Sequence, residues 1–203
     1  MSYPKFYDDV KTIKTYDPIA DILGAFEDGL VKFRYIQVVK AAGHSCPTVA
    51  GAYLMTMKAL DALYIDELPL RGGVEVRFKE SIDEGVAGVI GNIITQITGA
   101  TIKSGFKGLN GKFARDNLMF YNSKIESSAR FTRIDSAKSV DVYYNPDAVK
   151  ANPKINELMP KVLSSKASLN EKKEFGELWQ ARVKKILIDE LENEELIRVV
   201  EVI

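Results

Sequence analysis

Apolar residues recur along the chain with two different periods, and each change of period marks a predicted element. From residue 48 to residue 65 almost every side chain is apolar or small, which predicts a buried central helix. Residues 74–79 instead alternate apolar and charged side chains, as a half-buried strand does. The same reasoning predicts helices over residues 18–28, 30–42, 48–65, 86–98 and 169–191, and strands over residues 74–79, 117–123, 129–134, 139–144 and 196–203.

The predicted strands point to a single sheet. Short polar stretches separate the three runs between residues 117 and 144, which is typical of an antiparallel meander. Together with residues 74–79 these runs predict an antiparallel or mixed sheet packed against buried helices, so the fold class is α+β. The last strand can pair with the sheet edge of its own or of a partner subunit. The whole chain, residues 1–203, fits a single domain.

Composition excludes several classes of partner. Lys plus Arg and Asp plus Glu both number 28, so no basic field favours nucleic acid or an anionic membrane surface. The longest apolar stretch is too short and too interrupted by polar residues to span a bilayer. A single cysteine cannot form an internal disulfide, and the N-terminus lacks a secretory signal pattern, so we expect a cytoplasmic protein with a small-molecule ligand.

The single histidine and the single cysteine of the chain lie two positions apart, as His44 and Cys46. Gly43 and Pro47 flank them and predict an irregular segment, in which donors at i and i+2 can face one ion. Cys46 also falls at the predicted start of the central helix, where unpaired N–H groups stabilise a thiolate. This pattern favours either metal binding or nucleophilic attack, with Cys46 as the best catalytic candidate. The chain has no second histidine, which argues against a papain-type Cys-His pair.

Two soft donors leave a metal ion incompletely coordinated. Carboxylates, water, a substrate or a neighbouring subunit would have to complete the shell, and an open position follows. Asp83, Glu84 and Asp116 are the candidate third ligands, although surface carboxylates are the commoner explanation of each.

Three segments carry a family resemblance. Residues 43–53 resemble the G-H-x-C-P-G motif of the FmdE family, whose members are similar to a small component of formylmethanofuran dehydrogenase. Residues 98–101 are similar to that family's T-G-x-T segment, and residues 111–114 to its G-K-x-x segment. The resemblance implies zinc or another transition metal held by His44 and Cys46, and a homodimer. It also implies an α+β core.

That core would extend over about residues 30–145, and residues 146–203 would form a helical extension. The chain departs from the family pattern at Val89, Gly91 and Asn92, where members carry a further Cys and an Asp, and it has no Cys-rich zinc ribbon. It also has no cysteines to hold the iron–sulfur clusters of a dehydrogenase, so the resemblance does not carry that reaction with it.

Two other functions stay open beside metal binding. A binding or carrier protein would use a pocket lined by Tyr53, Phe106 and Phe113 for a small organic ligand or haem, with Cys46 as a contact. A purely structural protein would use the segment from Gly43 to Pro47 only to shape the start of a helix. The residues alone leave open whether the protein is an enzyme.

Overall fold

The computed structural model of the chain describes residues 3–202 and confirms the α+β class. A five-stranded sheet carries the central helices on one face, and a two-stranded hairpin lies near the N-terminus. The elements in chain order are β1 (Ile13–Tyr16), α1 (Pro18–Ile22), β2 (Leu30–Phe33), α2 (Tyr35–Ala42), α3 (Pro47–Leu63), β3 (Val74–Arg77), α4 (Ala87–Thr98), β4 (Met119–Phe120), β5 (Ala129–Arg133), β6 (Ser139–Tyr144), α5 (Lys154–Leu163), α6 (Leu169–Lys184) and β7 (Ile197–Val202).

The large sheet is mixed and has the order β4-β3-β5-β6-β7. Helix α4 connects β3 to β4, which run parallel, and the remaining neighbours pair antiparallel. The predicted meander was therefore wrong for its first strand, which is short and pairs with β3 alone. Asn117 and Asn122 both have a φ of 55°, and this left-handed backbone ends the extended segment on either side of β4.

The N-terminal hairpin pairs β1 with β2, with Ile13 opposite Phe33. The helix predicted over residues 30–42 was wrong for its first four residues, which form β2. Val31 is buried there while Lys32 is exposed, the alternation of a strand. The helix itself begins at Tyr35 and ends at Gly43, whose φ of 77° suits a C-terminal glycine.

Helix α3 is the centre of the core, as its apolar circumference predicted. It packs against α4 and against strands β6 and β7. From Val49 to Leu60 every residue except Lys58 is buried. The predicted helix over residues 86–98 is confirmed as α4, which ends at Gly99 in the left-handed conformation.

The C-terminal part adds two helices and the last strand. Helix α6 begins with a capping box, in which Ser168 and Glu171 satisfy each other's backbone N–H groups. Helix α5 was not predicted, because Pro153 at its start and Pro160 inside it are typical of loops. The predicted final strand is confirmed as β7, which pairs with β6, and its last predicted residue, Ile203, lies outside the described residues.

No helix within residues 3–202 combines the length and the apolarity needed to cross a lipid bilayer.

Candidate functional site

His44 and Cys46 lie on the turn that joins α2 to α3. The left-handed Gly43 ends α2, and Cys46 is the N-cap residue of α3, with its Sγ accepting a hydrogen bond from the Val49 N–H at 3.4 Å. His44 is exposed, and its Nδ1 is 3.1 Å from the Ala42 carbonyl oxygen. When Nδ1 donates its proton to that carbonyl, Nε2 keeps its lone pair for a ligand.

Ser45, between the two donors, is fixed by three side chains. Its carbonyl oxygen accepts hydrogen bonds from Trp179 Nε1 at 3.0 Å and from Gln180 Nε2 at 3.2 Å. Its hydroxyl lies 2.9 Å from the Tyr35 hydroxyl, and only 8% of Ser45 is exposed. Helices α2 and α6 therefore set the backbone between His44 and Cys46.

A tyrosine from the sheet fixes the other side of the turn. The Tyr144 hydroxyl, at the end of β6, donates to the Pro47 carbonyl oxygen at 2.7 Å. Its ring lies against Gly51, where an added Cβ would be 2.2 Å from the ring. Gly51 is thus required for close packing, which is the more common role of a small residue in a core helix.

The phenols around the turn stay neutral. Burial raises the pKa of Tyr35, and the hydrogen bond with Ser45 only partly opposes this effect. Burial also raises the pKa of Tyr144, with the Arg182 charge opposing and the nearby Cys46 adding to the shift. At neutral pH these side chains therefore act as hydrogen-bonding hydroxyls and supply no negative charge to a cation.

The candidate carboxylates are engaged locally. Asp83 accepts a hydrogen bond from Ser81 Oγ at 2.5 Å, and Glu84 accepts one from the Ser81 N–H at 3.2 Å. Asp116 lies 3.6 Å from Lys107 Nζ. Within residues 3–202 no three His, Cys, Asp or Glu side chains form a group that could hold a metal ion.

The three aromatic residues predicted to line a pocket lie in two different settings. Tyr53 has no exposed surface, and its hydroxyl lies within hydrogen-bonding distance of two carbonyl oxygens, that of Lys11 at 2.7 Å and that of Phe33 at 2.8 Å. Phe106 is 43% exposed and Phe113 has a φ of 63°, both in the loop that follows α4. The structure thus places Tyr53 in the core and the two phenylalanines on a surface loop.

Sequence reasoning missed the side chains that hold the turn, namely Tyr35, Tyr144, Trp179 and Gln180. For Trp179 the one available signal was its rarity, because it is the chain's single tryptophan. Since these residues are 10 to 135 positions from Ser45, no local pattern relates them to it.

A comparison with known families places most of the chain in one of them. Residues 41–197 match the family model described as FmdE, Molybdenum formylmethanofuran dehydrogenase operon. The match begins in the last turn of α2 and ends at the first residue of β7, so it continues well past the three motifs noted in the sequence. A search of curated proteins found no match.

Proposed function

We propose that this chain, which belongs to the FmdE family, binds a transition metal ion, zinc in the first place, through His44 and Cys46. One observation carries the proposal. The chain's two soft donors flank Ser45, a buried residue that Tyr35, Trp179 and Gln180 hold in place. In addition, His44 Nδ1 is within hydrogen-bonding distance of the Ala42 carbonyl oxygen, and a bond of this kind orients histidine ligands at known metal sites.

His44 and Cys46 suit a metal site with free coordination positions and cannot by themselves form one in which the protein supplies every ligand. Imidazole nitrogen and thiolate sulfur are ligands that zinc prefers, but a closed structural zinc site needs four of them. Because the described residues contain no group of three potential ligands, water, a substrate or a second copy of the chain would fill the other positions. An open position on zinc polarises a carbonyl or lowers the pKa of bound water.

In this proposal the protein's own residues bind and orient. The exposed His44 presents its imidazole to solvent, and Cys46 presents its sulfur atom at the start of α3. Cys46 is the group we propose to contact a reacting molecule. Tyr35 and Tyr144 are neutral and position the backbone on either side of it.

We also propose that the partner is a second copy of the chain. Strand β7 pairs with β6 on one side, and its other edge forms the end of the sheet. A six-residue edge strand rich in valine is prone to pair with another chain unless something covers it. Light scattering at high protein concentration tests this point, and a monodisperse monomer would contradict it.

Cobalt(II) titration of the metal-free protein tests the site itself. Wild type should take up about one equivalent and develop a thiolate-to-cobalt absorption band, which Cys46→Ser should abolish and His44→Ala should weaken. Asp66→Asn, at an exposed carboxylate beyond the opposite end of α3, is the matched control and should leave the titration unchanged. A wild type that develops no band would refute the metal site. A bound chromophore in the purified protein would then favour the organic-ligand or haem carrier, and a protein without any bound component would favour a structural role.

A further inference from the structure

A second candidate site lies where the parallel strands β3 and β4 end. A cavity of about 400 Å³ opens there, within the range of small-molecule pockets. Its wall is formed by the loop after β3 at residues 81–83, by residues 102–103, and by the segment that includes β4. Strand β3, helix α4 and strand β4 form a βαβ unit. Residues 81–83 and 121–122 of the wall lie beyond the carboxyl ends of its parallel strands, where ligands of such units bind, and the rest of the wall lies along β4 and the residues before it.

The cavity and the turn with His44 and Cys46 lie at the same end of the sheet. Arg77 at the end of β3 is opposite Arg130, and the adjacent Ala129 is opposite Val142 near the end of β6. Tyr144, two residues further along, reaches the start of α3. In the sheet, β6 is the third strand from β4, so the distance between these two strands is roughly 14 Å.

Tyr121 lines the cavity, and its hydroxyl has spare hydrogen-bonding capacity. The hydroxyl donates to Met119 Sδ at 3.4 Å, and a thioether is a weak acceptor. The tyrosine is half-buried, so water does not fully replace a stronger partner. An added Cβ at Gly91 of α4 would be 2.0 Å from that hydroxyl oxygen. Glycine at position 91 leaves room for this hydroxyl, although a glycine inside a helix lowers stability by about 0.5–1 kcal/mol relative to alanine.

The rest of the lining indicates the chemistry of a ligand. Ile82, Ile102 and Phe120 supply an apolar surface, of which the two isoleucines are 50% and 38% exposed. Asp83 and Lys103 contribute one charge of each sign, so the cavity has no net preference for an ion. We propose that this cavity binds an uncharged aromatic compound that carries hydrogen-bonding groups at its edge. This site does not depend on the metal site proposed above.

Saturation-transfer NMR on the full chain tests the proposal with three probes. Quinazolin-4-one is neutral and aromatic with an amide edge, 2-naphthoate is an anionic aromatic compound, and cyclohexanecarboxamide is neutral but not aromatic. The signal of quinazolin-4-one should exceed the other two at least threefold. Equal signals, a larger signal for either comparator, or no signal from any probe would overturn the proposal.

Three variants locate the binding. Ile82→Glu places a charge on the apolar surface and should reduce the quinazolin-4-one signal about tenfold, whereas Ile134→Glu, at an isoleucine 54% exposed at the other end of the sheet, should leave it unchanged. Tyr121→Phe should weaken binding about three- to tenfold by removing the hydroxyl. Circular dichroism should show all three variants folded.

Backbone amide chemical shifts distinguish this site from the proposed metal site. Quinazolin-4-one should shift the amides of Ile82, Ile102 and Asn122 and leave those of His44 and Cys46 in place. The shifts should persist in the His44→Ala, Cys46→Ala double variant. Shifts confined to the turn, or an equal response in Ile82→Glu, would contradict the assignment of the cavity.

Discussion

Replacing Gly51 by alanine tests the packing that holds the start of α3. An alanine Cβ would lie 2.2 Å from the Tyr144 ring, so the ring would have to move and its hydrogen bond to the Pro47 carbonyl would be lost. Gly176 in α6 provides a matched control, because an added Cβ there meets no described heavy atom within 4 Å. The same substitution should therefore have opposite effects at the two positions.

The magnitude follows from three contributions to the free energy of unfolding. Alanine in place of a helix-interior glycine stabilises by about 1 kcal/mol at either position. At Gly51, overpacking costs about 1–3 kcal/mol, and the lost hydrogen bond costs about 1 kcal/mol more. Gly51→Ala should therefore destabilise by about 1–3 kcal/mol in total, while Gly176→Ala should stabilise by about 0.5–1 kcal/mol.

Urea unfolding followed by circular dichroism measures both changes, with thermal melting as a second readout. For a chain of this length, Tm should fall by about 2–4 °C per kcal/mol lost. In a Tyr144→Ala background the same Gly51→Ala substitution should cost less than in wild type or become stabilising, because the clash is already absent. If Gly51→Ala stabilises the protein as much as Gly176→Ala, the packing of Tyr144 on α3 is wrong.

Two further predictions concern contacts that tie distant segments together. The Asp17 side chain is 5% exposed and accepts hydrogen bonds from Arg71 at 2.9 Å and from Arg115 at 2.5 Å. Asp17→Asn should therefore lower the free energy of unfolding, measured in urea, by about 2–4 kcal/mol. Burial opposes the ionisation of Asp17, but the two arginines outweigh this effect and lower its pKa. The stability that Asp17 contributes should therefore be complete above about pH 4 and be lost as the pH falls further. Stability should fall less steeply in Asp17→Asn, and an equal slope in the two proteins would refute this role. Trp179→Phe keeps an aromatic ring, although a smaller one, and loses the hydrogen bond to Ser45. It should cost about 0.5–1.5 kcal/mol for the lost bond and weaken metal uptake about 10-fold, whereas unchanged uptake would show that Gln180 holds the turn alone.

The long helices could be predicted because each repeats a strong pattern over several turns. Helices α3 and α4 were predicted as buried from their apolar circumference, and α6 was predicted because its apolar residues recur at helical spacing. The hairpin of β1 and β2 was missed because four residues give too short an alternation to separate β2 from the helix that follows it. The parallel pairing of β3 and β4 depends on the path of α4 across the sheet, which no local pattern records.

The candidate site was predictable only in part. The rarity of His44 and Cys46 identified the turn, and the cap position of Cys46 followed from the flanking proline and the apolar helix after it. The contacts that fix Ser45 come from α2 and α6, and their meeting is a product of tertiary packing. The zinc, the homodimer and the cytoplasmic location stay predictions.

The central claim is that His44 and Cys46 hold a metal ion, and elemental analysis tests it most directly. Anaerobically purified wild type should be compared with the His44→Ala, Cys46→Ala double variant after circular dichroism has shown both to be folded. Near-stoichiometric zinc in the wild type and its loss from the variant is the predicted result. Equal metal content in the two proteins, or none in either, would contradict the claim.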